Sequence, residues 1–173
     1  MTEKRNLVME PIGRVIKGRA PNVPAYAGIG GQAQPGPGDG WEEMDAEIEI
    51  DPAWEEALDG VEGFSHIWVV WWLDRADETP PPAKVHPEGR KELPAVGLFA
   101  TRSPRRPNPV AITPVRLLAR RGNHLRVQGL DAFVDTPVLD IKPYLRRGDL
   151  IPEAGVPEWL EQLWRLHDEE RRR

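Results

Sequence analysis

The alternation of apolar and polar residues along the chain predicts a series of short β-strands. Residues 44–50, MDAEIEI, alternate strictly, as in a strand with one face in water. Residues 63–74, GFSHIWVVWWLD, are almost continuously apolar, which is typical of a central strand buried on both faces. Further strands are predicted at 7–19, 95–101, 110–119, 125–130 and 138–144, with a hairpin turn at 121–123. Successive strands with little helix between them favour an antiparallel barrel or sandwich over a parallel α/β sheet.

Two segments break the strand pattern and predict helices. Asp51 is a typical N-cap with Pro52 at the first helical position, and together they predict a short internal helix. From Pro157 onward, apolar residues recur at helical spacing and an arginine run suits the end of a helix. We therefore predict a mainly β, single small antiparallel barrel with long loops over residues 1–156. An amphipathic helix over residues 157–173 is expected to pack on the barrel or on a dimer partner.

Two long loops interrupt the strands. Ten of the twenty-one residues in 20–40 are Gly or Pro, which is too many for regular structure and indicates a binding flap or a disordered connection. Residues 75–93, with three consecutive prolines at 80–82, are predicted to form the second loop.

The composition excludes several classes of protein. A chain of 173 residues suits one domain with a real core. It contains no cysteine, which rules out disulfides and thiolate metal sites, and its four histidines lack metal-ligand spacing, so no metal is expected. No apolar run has the length of a signal peptide or a membrane span, so we expect a soluble cytoplasmic protein with no membrane partner.

The net charge of −5 conceals an uneven distribution along the chain. Residues 39–62 contain eleven Asp and Glu and no Lys or Arg, whereas residues 102–147 contain nine Arg and one Lys against three Asp. One interpretation is that the basic side binds an anionic partner such as RNA. The other, slightly favoured on charge alone, is that the two segments face each other within the fold or across a dimer.

Residues 99–114, FATRSPRRPNPVAITP, predict a stiff, cationic turn between two strands. Proline fixes φ and removes a backbone donor, so the four prolines allow neither a helix nor a central strand. Arginine has a planar fork that suits carboxylates and phosphates, and a stiff frame lowers the entropy lost when it binds them. The alternative is a solvated, proline-rich connection. The chain has no Walker-type phosphate loop, no nucleophile elbow and no G-x-G-x-x-G after a strand, which disfavours the common nucleotide-binding folds.

Four segments in order resemble the TrmO/TsaA family. They are PIGRV, LDGVEGFSHIWVVWW, GLFATRSPRRPNPVAIT and LDAFVDTPVLDIKPY, and the resemblance covers most of residues 7–150. It implies a dimeric β-barrel that uses S-adenosylmethionine to methylate tRNA, at N6 of threonylcarbamoyladenosine beside the anticodon. The additional C-terminal domain of some members is expected to be absent.

The same resemblance implies which positions contact S-adenosylmethionine. They are Gln34, Asp74, Arg75, Arg102, Ile112, Leu130 and Asp131. Asp74 and Arg75 stand where the family commonly has a His-Gln pair, and Ala33, Ala111 and Asp135 replace an arginine and two glycines. An arginine such as Arg102 suits the cofactor carboxylate, and an aspartate such as Asp74 or Asp131 suits its ammonium or ribose hydroxyls.

Little catalytic machinery is expected, because a sulfonium already carries a good leaving group and the protein mainly positions the reactants. The N6 atom of threonylcarbamoyladenosine is a weak nucleophile, so removal of its proton by Asp135, Asp140 or Tyr144 would help. Asp140 and Lys142 also suit a structural ion pair, which we favour. We interpret His66 as a hydrogen-bonded structural histidine rather than a catalytic base.

The candidate contacts to the tRNA anticodon loop are Arg105, Arg106, Asn108, Arg146 and Arg147. Arginine contacts to phosphates make the affinity sensitive to salt. The resemblance thus implies a homodimeric tRNA (adenine-N6)-methyltransferase. The alternatives are a non-catalytic S-adenosylmethionine- or RNA-binding protein of the same fold, and methyl transfer to another acceptor.

Overall fold

The structure is a computed structural model that describes residues 7–19, 43–76 and 79–172. In chain order its strands are β1 (Gly13–Lys17), β2 (Asp45–Ile50), β3 (His66–Trp72), β4 (Lys84–Val85), β5 (Val96–Gly97), β6 (Val110–Arg121), β7 (His124–Gln128) and β8 (Pro137–Pro143). Within the described ranges, six of them close an antiparallel barrel in the order β1-β2-β7-β6-β3-β8, as predicted, while β4 and β5 form a separate small sheet. The predicted loop over 20–40, including Gln34, lies outside the described residues.

The barrel interior is filled by alternate residues of each strand. In β2 every second residue is buried, which confirms the prediction from its alternating sequence. The fully buried side chains include Val15, Ile48, Ile67, Val69, Val115, Leu125, Val127 and Val138. Because a barrel has one interior, each strand needs one apolar face, and the alternation in the sequence supplies it.

Strand β3 corrects one prediction. Ile67, Val69 and Trp71 are buried, but Trp68 and Val70 point to the outer face and are only half-buried. Burial on both faces is therefore wrong. The continuous apolar run gives the strand an interior face and an apolar outer face that no described part of the chain covers completely.

Strands β1 and β2 approach closely at Gly13. It pairs with Ile50, and a Cβ atom placed on Gly13 would lie 2.3 Å from the backbone oxygen of Glu49. A glycine at this position therefore allows a strand contact that a side chain would prevent.

The short helical turns refine the other predictions. Residues Pro52–Leu58 form a 3₁₀ helix, and the Asp51 carboxylate caps it by accepting a 2.8 Å hydrogen bond from the Ala53 amide. The predicted strand over 95–101 is wrong beyond Gly97, because residues 98–100 turn into a 3₁₀ helix. The amide and the hydroxyl of Thr101 both donate to the Leu98 carbonyl and close that turn.

The C-terminal helix α2 (Glu158–Arg171), which follows the short helix α1 (Arg146–Asp149), packs against the loop between β4 and β5. The Nε2 atom of buried His167 lies 2.8 Å from a carboxylate oxygen of Glu88, and Arg90 pairs with Glu170 at 2.8 Å. Partial burial opposes the charge of Arg90, but its hydrogen bonds to Glu170 and Glu88 raise its pKa overall. These contacts fix one face of α2, whereas Trp164 on the same helix is 45% exposed. Among the described helices, none is long and apolar enough to cross a membrane.

The barrel has two ends, which we call upper and lower. At the upper end β3 finishes at Trp72, opposite Val110 where β6 begins, and β8 begins on the other side. At the lower end β3 begins at His66, and the β6–β7 hairpin turns at Gly122, whose φ is 58° as the predicted glycine turn requires. The seven residues of β3 separate the two ends by about 20 Å.

Candidate functional site

A cleft at the upper end of the barrel brings together four separate parts of the chain. We call it the upper cleft, and it is lined by Arg19, Trp71, Leu73, Asp74, Arg75, Ala76, Pro104, Asp131, Phe133 and Thr136. These residues follow β1, end or follow β3, belong to the proline-rich turn, and precede β8. They meet because β1 and β3 end where β8 begins.

Ion pairs and hydrogen bonds order the charged side chains of the upper cleft. Arg19 donates to the Asp131 carboxylate at 2.9 Å, and Arg75 donates to the backbone carbonyl of Val134 at 3.0 Å. The Thr136 hydroxyl donates to Asp74 at 3.3 Å. Each charged group is thus held in place from a neighbouring segment.

An aromatic ring lies among these charges. The guanidinium of Arg75 is 4.6 Å from the centre of the Phe133 ring, and that of Arg19 is 5.8 Å from it. Both distances are within the range of cation–π attraction. The ring and the two arginines therefore position one another at the edge of the upper cleft.

Gly18 allows the end of β1 to reach this cleft. A Cβ atom on Gly18 would lie 2.5 Å from the backbone oxygen of Ala132, and the amide of the next residue, Arg19, donates to that same oxygen at 2.8 Å. The close backbone approach delivers Arg19 to Asp131.

The upper cleft contains three of the predicted cofactor residues, Asp74, Arg75 and Asp131. Arg102 is exposed and lies outside the cleft lining, although Pro104, two residues further on, belongs to it. Ile112 lies on the outer face of β6, and Leu130 is fully buried in the barrel core. For these three positions a cofactor contact stays a prediction.

Sequence reasoning predicted three of the ten described residues that line the upper cleft and missed the other seven, including Arg19 and Phe133. The only signal for Phe133 in the sequence was its place in the motif LDAFVDTPVLDIKPY. No sequence signal marked Arg19, because it joins the cleft through the pairing of β1 with β8.

The side chains of the upper cleft fit S-adenosylmethionine chemically. That molecule carries a carboxylate, an ammonium group, ribose hydroxyls and an adenine ring. Arg75 and Arg19 are donors for a carboxylate, Asp74 and Asp131 accept from ammonium or hydroxyl groups, and Phe133 offers an aromatic surface. Among the described residues, no cluster of His, Asp and Glu is arranged to hold a metal ion.

The three candidate bases do not gather at the upper cleft. Asp140 forms a 2.6 Å ion pair with Lys142, in line with the structural role that we favoured. Tyr144 lies at the lower end, its ring 5.5 Å from that of Trp68. Asp135 is at the upper end with a φ of 70°, but its carboxylate is exposed and lies 3.7 Å from Arg14.

His66, which we interpreted as a structural histidine, is hydrogen-bonded to Ser65 at the lower end.

The arginines of the proline-rich turn brace it from within. Arg105 donates to the Thr79 hydroxyl at 2.6 Å and to the Pro80 carbonyl at 3.1 Å, and Arg106 donates to the Thr101 carbonyl at 2.8 Å. The stiffness predicted from the prolines therefore has a second source, in hydrogen bonds from the arginines.

The remaining candidates for RNA contact are separated in space. Asn108 is exposed in the proline-rich turn at the upper end, whereas Arg146 and Arg147 are exposed in α1 at the lower end. One compact RNA molecule would therefore have to span about 20 Å to contact both groups.

Part of the uneven charge is neutralised within the fold. Arg126 pairs with Asp45, and Arg120 pairs with Asp59 and Glu62. The hydrogen bond that Arg120 donates to Asp59 raises the pKa of Arg120, and the hydrogen bond that Arg126 donates to Asp45 lowers the pKa of Asp45. Three other arginines for which the sequence predicts a ligand contact are Arg102, Arg146 and Arg147. None of them has a carboxylate within ion-pair distance in the described part of the chain.

The chain is similar to several known proteins. The family described as "tRNA-methyltransferase O N-terminal domain" matches residues 31–150. A probable S-adenosyl-L-methionine-binding protein of Archaeoglobus fulgidus is 45% identical over 116 residues, which are 67% of this chain and 30% of that protein. The human tRNA (adenine(37)-N6)-methyltransferase is 39% identical over 95 residues, which are 55% of this chain and 21% of that enzyme.

The fold has a solved counterpart. The crystal structure of TrmO from Pseudomonas aeruginosa superimposes with a TM-score of 0.67 and 27% identity, and the match covers 91% of this chain and 63% of that one. The chain thus spans less than two thirds of the length of each of these three proteins.

Proposed function

This chain belongs to the tRNA-methyltransferase O family, and we propose on that basis that it transfers a methyl group from S-adenosylmethionine to an adenine base of tRNA. The observation that carries the proposal is the upper cleft, where Asp74, Arg75 and Asp131 converge from separate segments with a donor set suited to that cofactor. The acceptor that we propose is N6 of threonylcarbamoyladenosine beside the anticodon, as the sequence motifs imply.

In this proposal the cleft residues bind and orient rather than react. Arg75 receives the cofactor carboxylate, with its guanidinium already held by Val134 and Phe133. Asp74 and Asp131 receive the ammonium group and the ribose hydroxyls. S-adenosylmethionine supplies an activated methyl group when bound, so the contribution of the protein is alignment, which can lower a barrier by several kcal/mol, roughly 7–11 in the best intramolecular cases.

The test is methyl transfer with defined tRNA. The protein is incubated with methyl-labelled S-adenosylmethionine and with tRNA that carries or lacks threonylcarbamoyladenosine. We expect label only in the tRNA that carries the modified base. Label in both tRNAs would support a methyltransferase with another acceptor, and cofactor binding without transfer to either would refute the proposed reaction in favour of a binding protein.

We further propose that the outer face of β3 and β6 contacts a second copy of the chain. On this face Val70 pairs with Ile112 and Trp68 pairs with Pro114, and Ile112 is 56% exposed. A contiguous apolar surface of this kind on a soluble barrel is typical of an interface.

Replacing Ile112 with aspartate should convert the dimer to a monomer, because it places a charge in the centre of that face. Analytical ultracentrifugation of the wild type and the variant measures this. Trp54→Asp, at an exposed position in the 3₁₀ helix after β2, is a matched control that should leave the mass unchanged. A wild type that sediments as a monomer at all concentrations would contradict the dimer.

A further inference from the structure

A second cleft lies on the other side of the proline-rich turn. We call it the proline cleft, and it is lined by Pro81, Pro82, Ala83, Gly97, Leu98, Phe99, Ala100 and Pro107. The lining is apolar throughout. Pro107 belongs to this cleft and Pro104 to the upper cleft, so only two residues of one stiff segment lie between them, and the chain from Pro104 to Pro107 spans at most about 11 Å.

Phe99 presents its ring to solvent at the rim of the proline cleft. Its side chain is 76% exposed, more than any other aromatic residue in the described part of the chain. The turn that carries it is well anchored, since Leu98 is buried and its carbonyl accepts two hydrogen bonds from Thr101. The exposed ring is therefore held in a defined position, although it buries little area and so contributes little to the stability of the fold.

A positive charge lies beside this ring. The guanidinium of Arg106 lies 5.5 Å from the centre of the Phe99 ring and is itself held by the Thr101 carbonyl. Between residues 93 and 130 the sequence contains no Asp or Glu, and Arg102 in the same turn is exposed. The combination of a flat apolar surface and a fixed cation suits a ligand that is both aromatic and anionic.

We propose that Phe99, with Arg106 beside it, is a stacking platform for an unpaired base of the tRNA loop, next to the base that is methylated. This inference rests on the proposed function. Single-stranded RNA is recognised largely by stacking of its bases on aromatic rings and arginine planes, while arginine also attracts the phosphates. The short separation of the two clefts lets neighbouring nucleotides of one loop occupy them together.

The charge distribution distinguishes this ligand from a protein partner. An apolar groove could also accept a loop from another polypeptide or from a second copy of the chain. A partner of that kind needs carboxylates to match the arginines, whereas every nucleotide of RNA brings its own negative charge. RNA is therefore the ligand that the surface favours.

The experiment compares Phe99→Ala and Phe99→Trp with the wild type. Binding of an anticodon stem-loop that carries threonylcarbamoyladenosine is measured by fluorescence anisotropy at fixed salt. We expect the alanine variant to bind about five- to a hundredfold more weakly, because stacking on an aromatic ring contributes about that factor per base. Tryptophan should restore the affinity, since it keeps the flat surface.

Controls separate stacking from folding. Trp54→Ala removes another exposed aromatic side chain, 54% exposed and near the lower end of the barrel, and should leave RNA affinity unchanged. S-adenosylmethionine affinity should be the same in all variants. A 2-aminopurine scanned through the loop should report one nucleotide whose fluorescence differs between wild type and Phe99→Ala.

The outcomes are distinct. A wild type that neither binds the stem-loop nor methylates tRNA would refute the proposed function itself. A wild type that binds, with a Phe99→Ala variant that binds equally well, would refute only the stacking platform. A Phe99→Ala variant whose sedimenting mass falls would also overturn it, because the ring would then be a contact between subunits.

Discussion

The variant Arg75→Ala is expected to bind S-adenosylmethionine about ten- to a hundredfold more weakly than the wild type, as measured by calorimetry. A hydrogen bond to a charged group contributes about 1.5–3 kcal/mol. The substitution would remove such a bond from the cofactor carboxylate. It would also release the Val134 carbonyl and the Phe133 ring, both of which Arg75 contacts. Arg75→Lys should recover part of the affinity, because lysine keeps the charge but loses the planar contact with the ring.

Two further arginines complete this series. Arg121→Ala, in the hairpin at the lower end, is the control and should bind the cofactor normally. Arg102→Ala tests the prediction that Arg102 contacts the cofactor. If the exposed guanidinium turns toward the cofactor, the affinity for S-adenosylmethionine should fall about tenfold. Unchanged affinity would take Arg102 out of the cofactor site. Wild-type affinity in Arg75→Ala would contradict the placement of the cofactor in the upper cleft.

The variant Gly13→Ala is expected to lower the free energy of unfolding by about 3 kcal/mol or more. The new methyl group would lie 2.3 Å from the backbone oxygen of Glu49 and 2.9 Å from the Cα atom of Ile50. Overpacking costs about 1–3 kcal/mol when side chains can adjust. The methyl group of Gly13→Ala would instead meet backbone atoms, which cannot turn aside as a side chain can, so β1 and β2 would have to separate. For a chain of this length the melting temperature should fall by about 6–12 °C.

The matched control is Gly63→Ala. An added Cβ there would meet no atom within 4 Å. The substitution should change the free energy of unfolding by less than about 1 kcal/mol, with slight stabilisation expected from the restricted unfolded chain. Equal melting temperatures for Gly13→Ala and the wild type would show that the strand pair adapts and that the close approach is not required.

The barrel strands could be predicted because each has an apolar face of period two. The strand predicted at 95–101 failed for a local reason, since its apolar residues Leu98 and Phe99 serve a turn, one anchored inside and the other exposed. Apolar character alone does not distinguish a buried strand from a turn in which one apolar residue is anchored and the next is exposed. The outer face of β3 was mistaken for a buried one for the same reason.

Residues of the candidate site could be predicted only where a motif marked them. Asp74, Arg75 and Asp131 came from the resemblance, and the structure brings them together. Arg19 could not be found, because it reaches Asp131 across a sequence separation of 112 residues. That contact depends on the closure of the barrel and on a backbone approach at Gly18, neither of which leaves a periodic trace in the sequence.

The docking of α2 has a consequence for the connection between β3 and β6, which carries both Arg105 and Phe99. The entropy of closing a loop grows with the length that is free to move. The contacts of His167 with Glu88 and of Arg90 with Glu170 hold this connection near its middle and so divide it into two shorter spans. The C-terminal helix thus restrains this connection. It lowers the conformational entropy of the proline-rich turn, so that more of the contact energy of the proposed RNA ligand would remain available for affinity.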